Sequence, residues 1–349
     1  MKFGLLYLPT FDAETHGDSA GLYRDIFEQV ELGEALGFDT VWAAEHHFTP
    51  YGGDIPNPPT FLAALAQRTK RMRLGSAGVA LPLNRALNTA EQLAMVDAMS
   101  GGRVEIGVVR AFLDFEYKAL QVDMNESRER FNESIEVLLG TWANESFSYH
   151  GKHNHFDNVM LRPRPVQRRP RIVVGTVLSP ESAVYAGQHG FDLMVIPYAV
   201  SLAGVRKTVD LYHAALKESG RDPSDHNVHA TFHTFVDRDE ATAIAAVREP
   251  IERYVQYFAE AVAGDTWSKD YVGYEGIVNK VLALKNFDVM YDRRVLIGTP
   301  ARVHETMGMA IEAGITEISC VTILPGLPQA KILESLRLFA DEIMPRYRD

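Results

Sequence analysis

Short apolar runs rich in β-branched residues alternate along the whole chain with longer stretches whose apolar residues recur every three to four positions. The first pattern suits buried strands and the second amphipathic helices, so the alternation predicts βα units around a parallel sheet. The strand candidates are Phe3–Leu8, Thr40–Ala44, Met72–Leu81, Val104–Val109, Arg171–Gly175, Leu193–Ile196, Asn227–Val236 and Glu317–Ile323. Helical periodicity runs through Leu22–Leu36, where Leu22, Ile26, Val30 and Gly33 share one face. It returns over Thr60–Thr69, Thr89–Met99, Ser127–Trp142, Pro180–His189, Ser201–Ser219, Asp239–Ala263, Ala301–Ala313 and Pro328–Ile343. Eight strands each followed by a helix close most simply into a (β/α)8 TIM barrel of the α/β class, with a doubly wound open sheet as the alternative.

Two segments break the rhythm of an expected single domain over residues 1–349. Residues 144–169 gather aromatic and histidine residues before Pro163, Pro165 and Pro170 and read as a hairpin plus linker. Residues 264–294 carry Trp267, Tyr271, Tyr274, Phe287 and Tyr291, interrupted by Gly273 and Gly276, and read either as a lid over a site or as a decoration packed on the barrel. No internal repeat and no low-complexity tract is present.

Composition narrows the function classes. With 35 Lys and Arg against 46 Asp and Glu, the formal charge is −11, and no basic run offers a footprint for nucleic acid or anionic lipid. Mean hydropathy is −0.12 and no apolar stretch approaches the ~20 residues of a membrane span, so a soluble cytoplasmic protein is expected. The opening apolar run, Phe3 to Leu8, reads as a first strand rather than a signal peptide. The single cysteine, Cys320, leaves no internal disulfide and no multi-cysteine metal site.

The densest chemistry lies at Phe38–Phe48, where a strand burying Val41 and Trp42 ends in Glu45, His46 and His47. In α/β proteins the C-terminal ends of strands carry the active site. A metal reading is weakened because neighbouring residues of an extended segment point to opposite sides, so His46 and His47 cannot readily share an ion. His153 and His155 would share a face, but no carboxylate pattern completes a site with them, and no metal is expected. After the fifth strand, Ser179 followed by Pro180 reads as a capped helix start. Such a terminus can receive an anion through its free N–H groups.

At this point the chain resembles the bacterial luciferase-like, flavin-dependent monooxygenases, and most of all the catalytic α subunit of alkanal-oxidising luciferases. The resemblance is carried by Met1–Gly4, Phe38–Thr49, Gly75–Pro82, Asp97–Arg103, Asp123–Arg128, Gly298–Pro300 and Leu338–Pro345, in family order along nearly the whole chain. It implies an enzyme that uses reduced FMN and O2, through a C4a-peroxyflavin, to oxygenate a small organic substrate. It further implies His46 as general acid or base, oriented or tuned by Glu45, and Arg110 and Arg128 on the flavin phosphate together with Gly175, Ser179, Glu181 and Ser182. The spacing from Arg110 to Arg128 equals that of the luciferase α subunit. Ala77-Gly78 falls where the family has a non-proline cis peptide beneath the isoalloxazine ring, and small residues there admit close approach of the flavin.

The departures fall around the substrate. Val109 stands where the α subunit has a cysteine, Glu116 where it has an aspartate, and Gly175–Leu178 is two residues longer than its counterpart. Val109, Glu116 and Tyr198 are therefore assigned to the substrate pocket, with Trp267, Tyr274 and Pro197 nearby, and neither light emission nor a long-chain aldehyde substrate follows. Leu8-Pro9-Thr10-Phe11 offers no Gly-rich dinucleotide loop, so reduced flavin is expected from a separate flavin reductase. The resemblance also implies a homodimer packed through Phe61, Leu62, Leu65, Leu93, Val96 and Met99, positions that could equally face the barrel. The rival readings are a deazaflavin-dependent oxidoreductase on the same barrel, a non-catalytic flavin-binding partner subunit, and a metal-dependent hydrolase.

Overall fold

A computed structural model describes residues 1–263, 271, 274 and 276–348. The strands among them are β1 (Lys2–Tyr7), β2 (Thr40–Ala43), β3 (Arg73–Ser76), β4 (Val79–Ala80), β5 (Val104–Val109), β6 (Phe147–His150), β7 (His155–Val159), β8 (Ile172–Gly175), β9 (Asp192–Val195), β10 (Val228–Val236), β11 (Leu296–Gly298) and β12 (Glu317–Val321). Eight of them pair in parallel in the order β1-β2-β3-β5-β8-β9-β10-β12, and β12 returns to β1 through Lys2 opposite Glu317 and Leu6 opposite Val321. The sheet is a closed barrel ringed by helices, and the open-sheet alternative is set aside because β1 has a partner on both sides.

Six of the eight barrel strands fall within the runs that the hydrophobic pattern predicts, and β1 and β9 each begin one residue earlier, at Lys2 and Asp192. The run Met72–Leu81 is divided, because the chain leaves β3 at Ala77-Gly78 before β4 rejoins β5 through Val79 and Ala80. Three-residue β11 lies outside every predicted run and extends the sheet beside Thr234–Val236. The helix Ser19–Leu36 begins with Asp18 accepting from the Gly21 amide, and it buries Leu22, Ile26, Val30 and Gly33 as their spacing requires. The helix Pro197–Glu218 starts ahead of the predicted Ser201, which instead marks a break at φ 61°.

Trp42 fills part of the barrel interior, against Gly75 and His229. It is fully buried, and a Cβ on Gly75 would lie 2.1 Å from its ring, so glycine on the adjoining strand is what lets an indole fill the barrel axis. Below it, at the N-terminal ends of the strands, Arg171 bonds Glu105 at 2.8 Å, Glu317 at 2.8 Å and Asp192 at 2.5 Å. Arg73 joins the same Glu105, while His229 packs on Trp42 and bonds Ser319 at 2.8 Å. Burial alone would lower the pKa of the Arg171 guanidinium, but three carboxylates around it raise it instead.

Between the helix Ser127–Ala143 and β8, residues 144–169 form the expected hairpin, with β6 antiparallel to β7. Its register sets His150 opposite His155, and His150 bonds Asp157 at 2.8 Å. These three exposed groups are the one cluster with metal-ligand spacing among the described residues, whereas His153 turns toward Glu126 and Glu129. The pairing of His153 with His155 is thereby corrected, since the hairpin turn lies between His150 and His155. Phe61, Leu62, Leu65, Leu93 and Val96 are buried within this single chain, so of the residues offered as a dimer face only Met99 is exposed. Two adjacent amphipathic helices, Pro58–Arg68 and Ala86–Ser100, use those apolar positions on the barrel and on each other. Among the described residues no helix is long and apolar enough to cross a membrane.

Candidate active site

Above Trp42, the C-terminal ends of the strands open into a cavity. Leu6, Ala44, Val109, Gly175, Met194 and Val321 form its base, and Glu45, His46, Ala77, Gly78 and Arg110 stand around the rim. Ala77-Gly78 is a cis peptide, as the resemblance implied. The glycine is demanded from the outer side, because a Cβ at 78 would lie 2.8 to 2.9 Å from the backbone of Gly107 and Val108.

The two imidazoles after β2 part company. His46 Nδ1 donates to Glu116 at 3.1 Å, and the same carboxylate oxygen accepts the His47 amide at 2.8 Å. A carboxylate only accepts, so Nδ1 carries the proton and Nε2 is left as the basic nitrogen of a residue lining the cavity. Glu45 serves the other histidine. Its carboxylate bonds His47 Nε2 at 3.0 Å and receives Asn84 Nδ2 at 2.7 Å and the Ala80 amide at 3.1 Å. Burial would lower the pKa of His47, yet Glu45 and Glu116 raise it overall. Two assignments are thus corrected: Glu45 does not orient His46, and Glu116 is not a cavity wall but the residue that holds His46. Alternation accounts for the first, since Glu45 and His47 lie two apart on an extended segment.

On the opposite rim, the helix Pro180–His189 points its N-terminus toward the cavity, where Ser179 and Ser182 are lining residues. Ser179 occupies the cap position but accepts no amide; its hydroxyl donates to Glu181 at 2.8 Å. Burial raises the pKa of Glu181, but its own amide, Ser179, Arg128 and Arg110 outweigh that and hold it below the ordinary value. Arg110 lines the cavity with Ser179 and Ser182, and the charges of Arg110 and Arg128 both act on Glu181 in the first turn, a combination that suits a dianionic phosphate. The Glu181 carboxylate accepts from Ser179, the residue that opens this helix. Arg110 is buried, with its guanidinium 4.0 Å over the ring of Tyr271. The Tyr271 hydroxyl donates to Ala111 O at 2.9 Å, and Tyr117 donates to Arg110 O.

The remaining wall is aromatic. Tyr51 stacks on Phe258 at 4.6 Å, Phe112 stacks on Tyr274 at 5.5 Å, and Tyr198 and Tyr254 complete the enclosure. Val109 and Tyr198 line the cavity, and so do Tyr271 and Tyr274, while Trp267 lies outside the described residues. Tyr51, Phe112, Tyr254 and Phe258 were invisible as site residues in the sequence. Tyr254 and Phe258 in particular read as the ordinary apolar stripe of the helix Glu240–Ala261.

Residues 1–317 match the family described as luciferase-like monooxygenase. The alkanal monooxygenase alpha chain of the Kryptophanaron alfredi symbiont is 25% identical over 100% of this chain and 99% of its own. Among solved structures, the monooxygenase RslO1 from Streptomyces bottropensis superposes with a TM-score of 0.87 at 32% identity, covering 100% of both chains. The oxygenating constituent of 3,6-diketocamphane monooxygenase from Pseudomonas putida, in complex with FMN, covers 100% of both at a TM-score of 0.82 and 20% identity.

Proposed function

This chain belongs to the luciferase-like monooxygenase family, and from that premise we propose that it is the oxygenase of a two-component cytoplasmic system that takes reduced FMN from a separate flavin reductase. The observation that carries the reading is that Arg110, the helix N-terminus at Ser179 and Ser182, and His46 held on Glu116 all line one cavity. When bound, reduced FMN would supply the electrons that activate O2 for transfer of one oxygen to an organic substrate.

The side chains divide the remaining work. Arg110, Arg128, the Ser179 hydroxyl and the first-turn amides around Ser182 anchor the phosphate, with Glu181 turned aside to release them. Ala77, Gly78, Val109 and Gly175 form a slot of small and apolar groups against which a flat ring system can lie. His46 carries its proton on Nδ1 toward Glu116 and so presents Nε2 to accept or return a proton at the cavity. Glu45 acts at one remove, fixing His47 and the Ala80 turn. Apolar and aromatic walls keep bulk water away from the reacting atoms.

The test is a titration with oxidised FMN followed by turnover with photoreduced FMN under O2. Saturable FMN binding that Arg110→Ala weakens by about 100-fold is expected, since a charge-assisted pair is worth roughly 2 to 3 kcal/mol. Saturable binding of a deazaflavin cofactor, with none of FMN, would transfer the chain to the rival reading.

A further inference from the structure

The aromatic wall holds a polar device that the oxygenase reading leaves unused. Tyr51, Tyr198 and Tyr254 put their phenol oxygens in a triangle with edges of 3.1, 3.0 and 3.4 Å, and all three residues line the cavity. Burial raises the pKa of each, so the three remain neutral. Three phenols own three protons and six lone pairs, and a closed triangle consumes three of each. Three acceptor positions are left over. The long edge, from Tyr254 to Tyr51, is the bond that an incoming oxygen would most readily replace, which would free a donor as well.

Behind the triangle sits His233, fully buried, with neither ring nitrogen bonded among the described residues. Its ring packs against Tyr198 at 4.9 Å and Tyr254 at 4.4 Å. A wall that served only as core would place an apolar ring there, because an unpaired buried polar group is costly. The cavity surface beside the triangle is shaped by flat rings: the Tyr51–Phe258 and Phe112–Tyr274 stacks meet edge to face, with Phe112 and Phe258 at 85°. Among the described residues, the three hydroxyls of the triangle bond one another and no ionised side chain. The ionisable groups of the lining are Glu45, His46 and Arg110; the neutral His46 ring packs 5.1 Å from Tyr51, and Arg110 is held over Tyr271.

We infer that the Tyr51–Tyr198–Tyr254 triangle is the specificity element of the substrate site, and that it selects an uncharged, flat aromatic substrate by a hydroxyl or carbonyl oxygen. The inference rests on the reading of this cavity as the flavin and substrate chamber. A planar ring fills the corner between the two stacks, and its oxygen replaces the long edge of the triangle. A carboxylate on the same ring is refused, because neutral phenols and a neutral imidazole offer it no countercharge.

Calorimetric titration of the FMN-loaded protein with 2-naphthol, naphthalene and 2-naphthoate tests this directly. The expected result is 2-naphthol binding at least about tenfold more tightly than naphthalene, with 2-naphthoate weaker than 2-naphthol by a similar factor. In Tyr198→Phe, and separately in Tyr254→Phe, the advantage of 2-naphthol over naphthalene should shrink while naphthalene affinity and the FMN dissociation constant stay unchanged. An advantage below tenfold in the wild type, binding of none of the three probes, or an advantage that survives both substitutions overturns the inference. Circular dichroism and a thermal melt on each variant exclude misfolding as the cause of a loss. Failure of the wild-type protein to bind FMN would instead overturn the oxygenase reading, and 2-naphthol selectivity measured on the flavin-free protein would still judge the triangle.

Discussion

The floor and the mouth of this barrel are built from the same strands by opposite rules. At the floor, one arginine meets three buried carboxylates beneath Trp42, and the partly exposed Arg73 adds a second cation. At the mouth, charged groups are spread around a rim, and the wall between them is a sheet of aromatic rings with a triangle of neutral phenols. The difference teaches where each kind of energy is stored. Ionic groups at the floor are matched to one another and hold strand ends together, whereas those at the mouth keep a basic nitrogen, a helix N-terminus and lone pairs directed at a cavity.

Removing the floor's central cation should have the largest effect on stability. Arg171→Met strands Glu105, Asp192 and Glu317 in a buried site, and a loss of about 3 to 5 kcal/mol is expected in guanidinium denaturation. At the mouth the sign of the experiment reverses. His46→Ala should lower turnover with reduced FMN by about 10²- to 10⁴-fold while changing the unfolding free energy by less than about 1 kcal/mol. Turnover equal to wild type would remove His46 from the chemistry and leave Glu116 with a purely structural bond.

Acid sharpens the comparison further, because each region contains a buried histidine. Burial lowers both His229, on the floor, and His233, behind the phenols, to about 3. Their folded values lie below the unfolded value of 6.5, so the stability they lend is present above pH 6.5 and lost as the pH falls toward 3. Each should contribute a slope of about 1.4 kcal/mol per pH unit, and His233→Phe should remove one such slope from urea melts run between pH 6 and pH 4. His47 at the rim runs the other way. Its pKa is raised, so its contribution is complete below pH 6.5 and fades as the pH rises through the folded value. His47→Gln should therefore flatten the alkaline side of the stability profile.

A smaller effect is expected at the phosphate end. Glu181→Gln withdraws the carboxylate that competes for Ser179, Arg110 and Arg128, and FMN should bind roughly threefold to tenfold more tightly in a fluorescence titration. Weaker binding would mean that the carboxylate organises the cradle rather than blocking it. Least of all should come from the exposed Arg68–Glu31 pair on the outer helices, where Arg68→Ala should cost under about 1 kcal/mol.

Much of the scaffold was legible in the primary structure, and much of the site was not. Periodicity located every barrel strand, because burial on both faces of a parallel strand leaves a continuous apolar run that no surface segment imitates. It missed β11, whose three residues are too few to carry a pattern. Resemblance brought His46, Arg110, Arg128 and the Ala77-Gly78 peptide to notice, yet it matched His46 with the wrong carboxylate. Glu45 is its neighbour in sequence, but Glu116, seventy positions away, is its neighbour in space. Of the two settings left open for Phe61, Leu62, Leu65, Leu93 and Val96, burial within the chain is the one observed, because an apolar stripe on a helix reports burial and does not say whether the partner is the same chain or another.

The pairing of β1 with β12 decided closure, and what the sequence by itself determined is therefore the run of strand–helix units, their order and the strand end at which ionisable residues gather. Those depend on local periodicity and on the alternation of side chains along a strand, which are fixed within a few residues. Tertiary structure decided which carboxylate serves which imidazole, that Ser179 bonds Glu181 instead of capping its helix, and that three tyrosines from distant segments share one set of hydrogen bonds. Closure of the barrel brings residues 51, 198 and 254 within 3.4 Å of one another, and no local pattern encodes that distance.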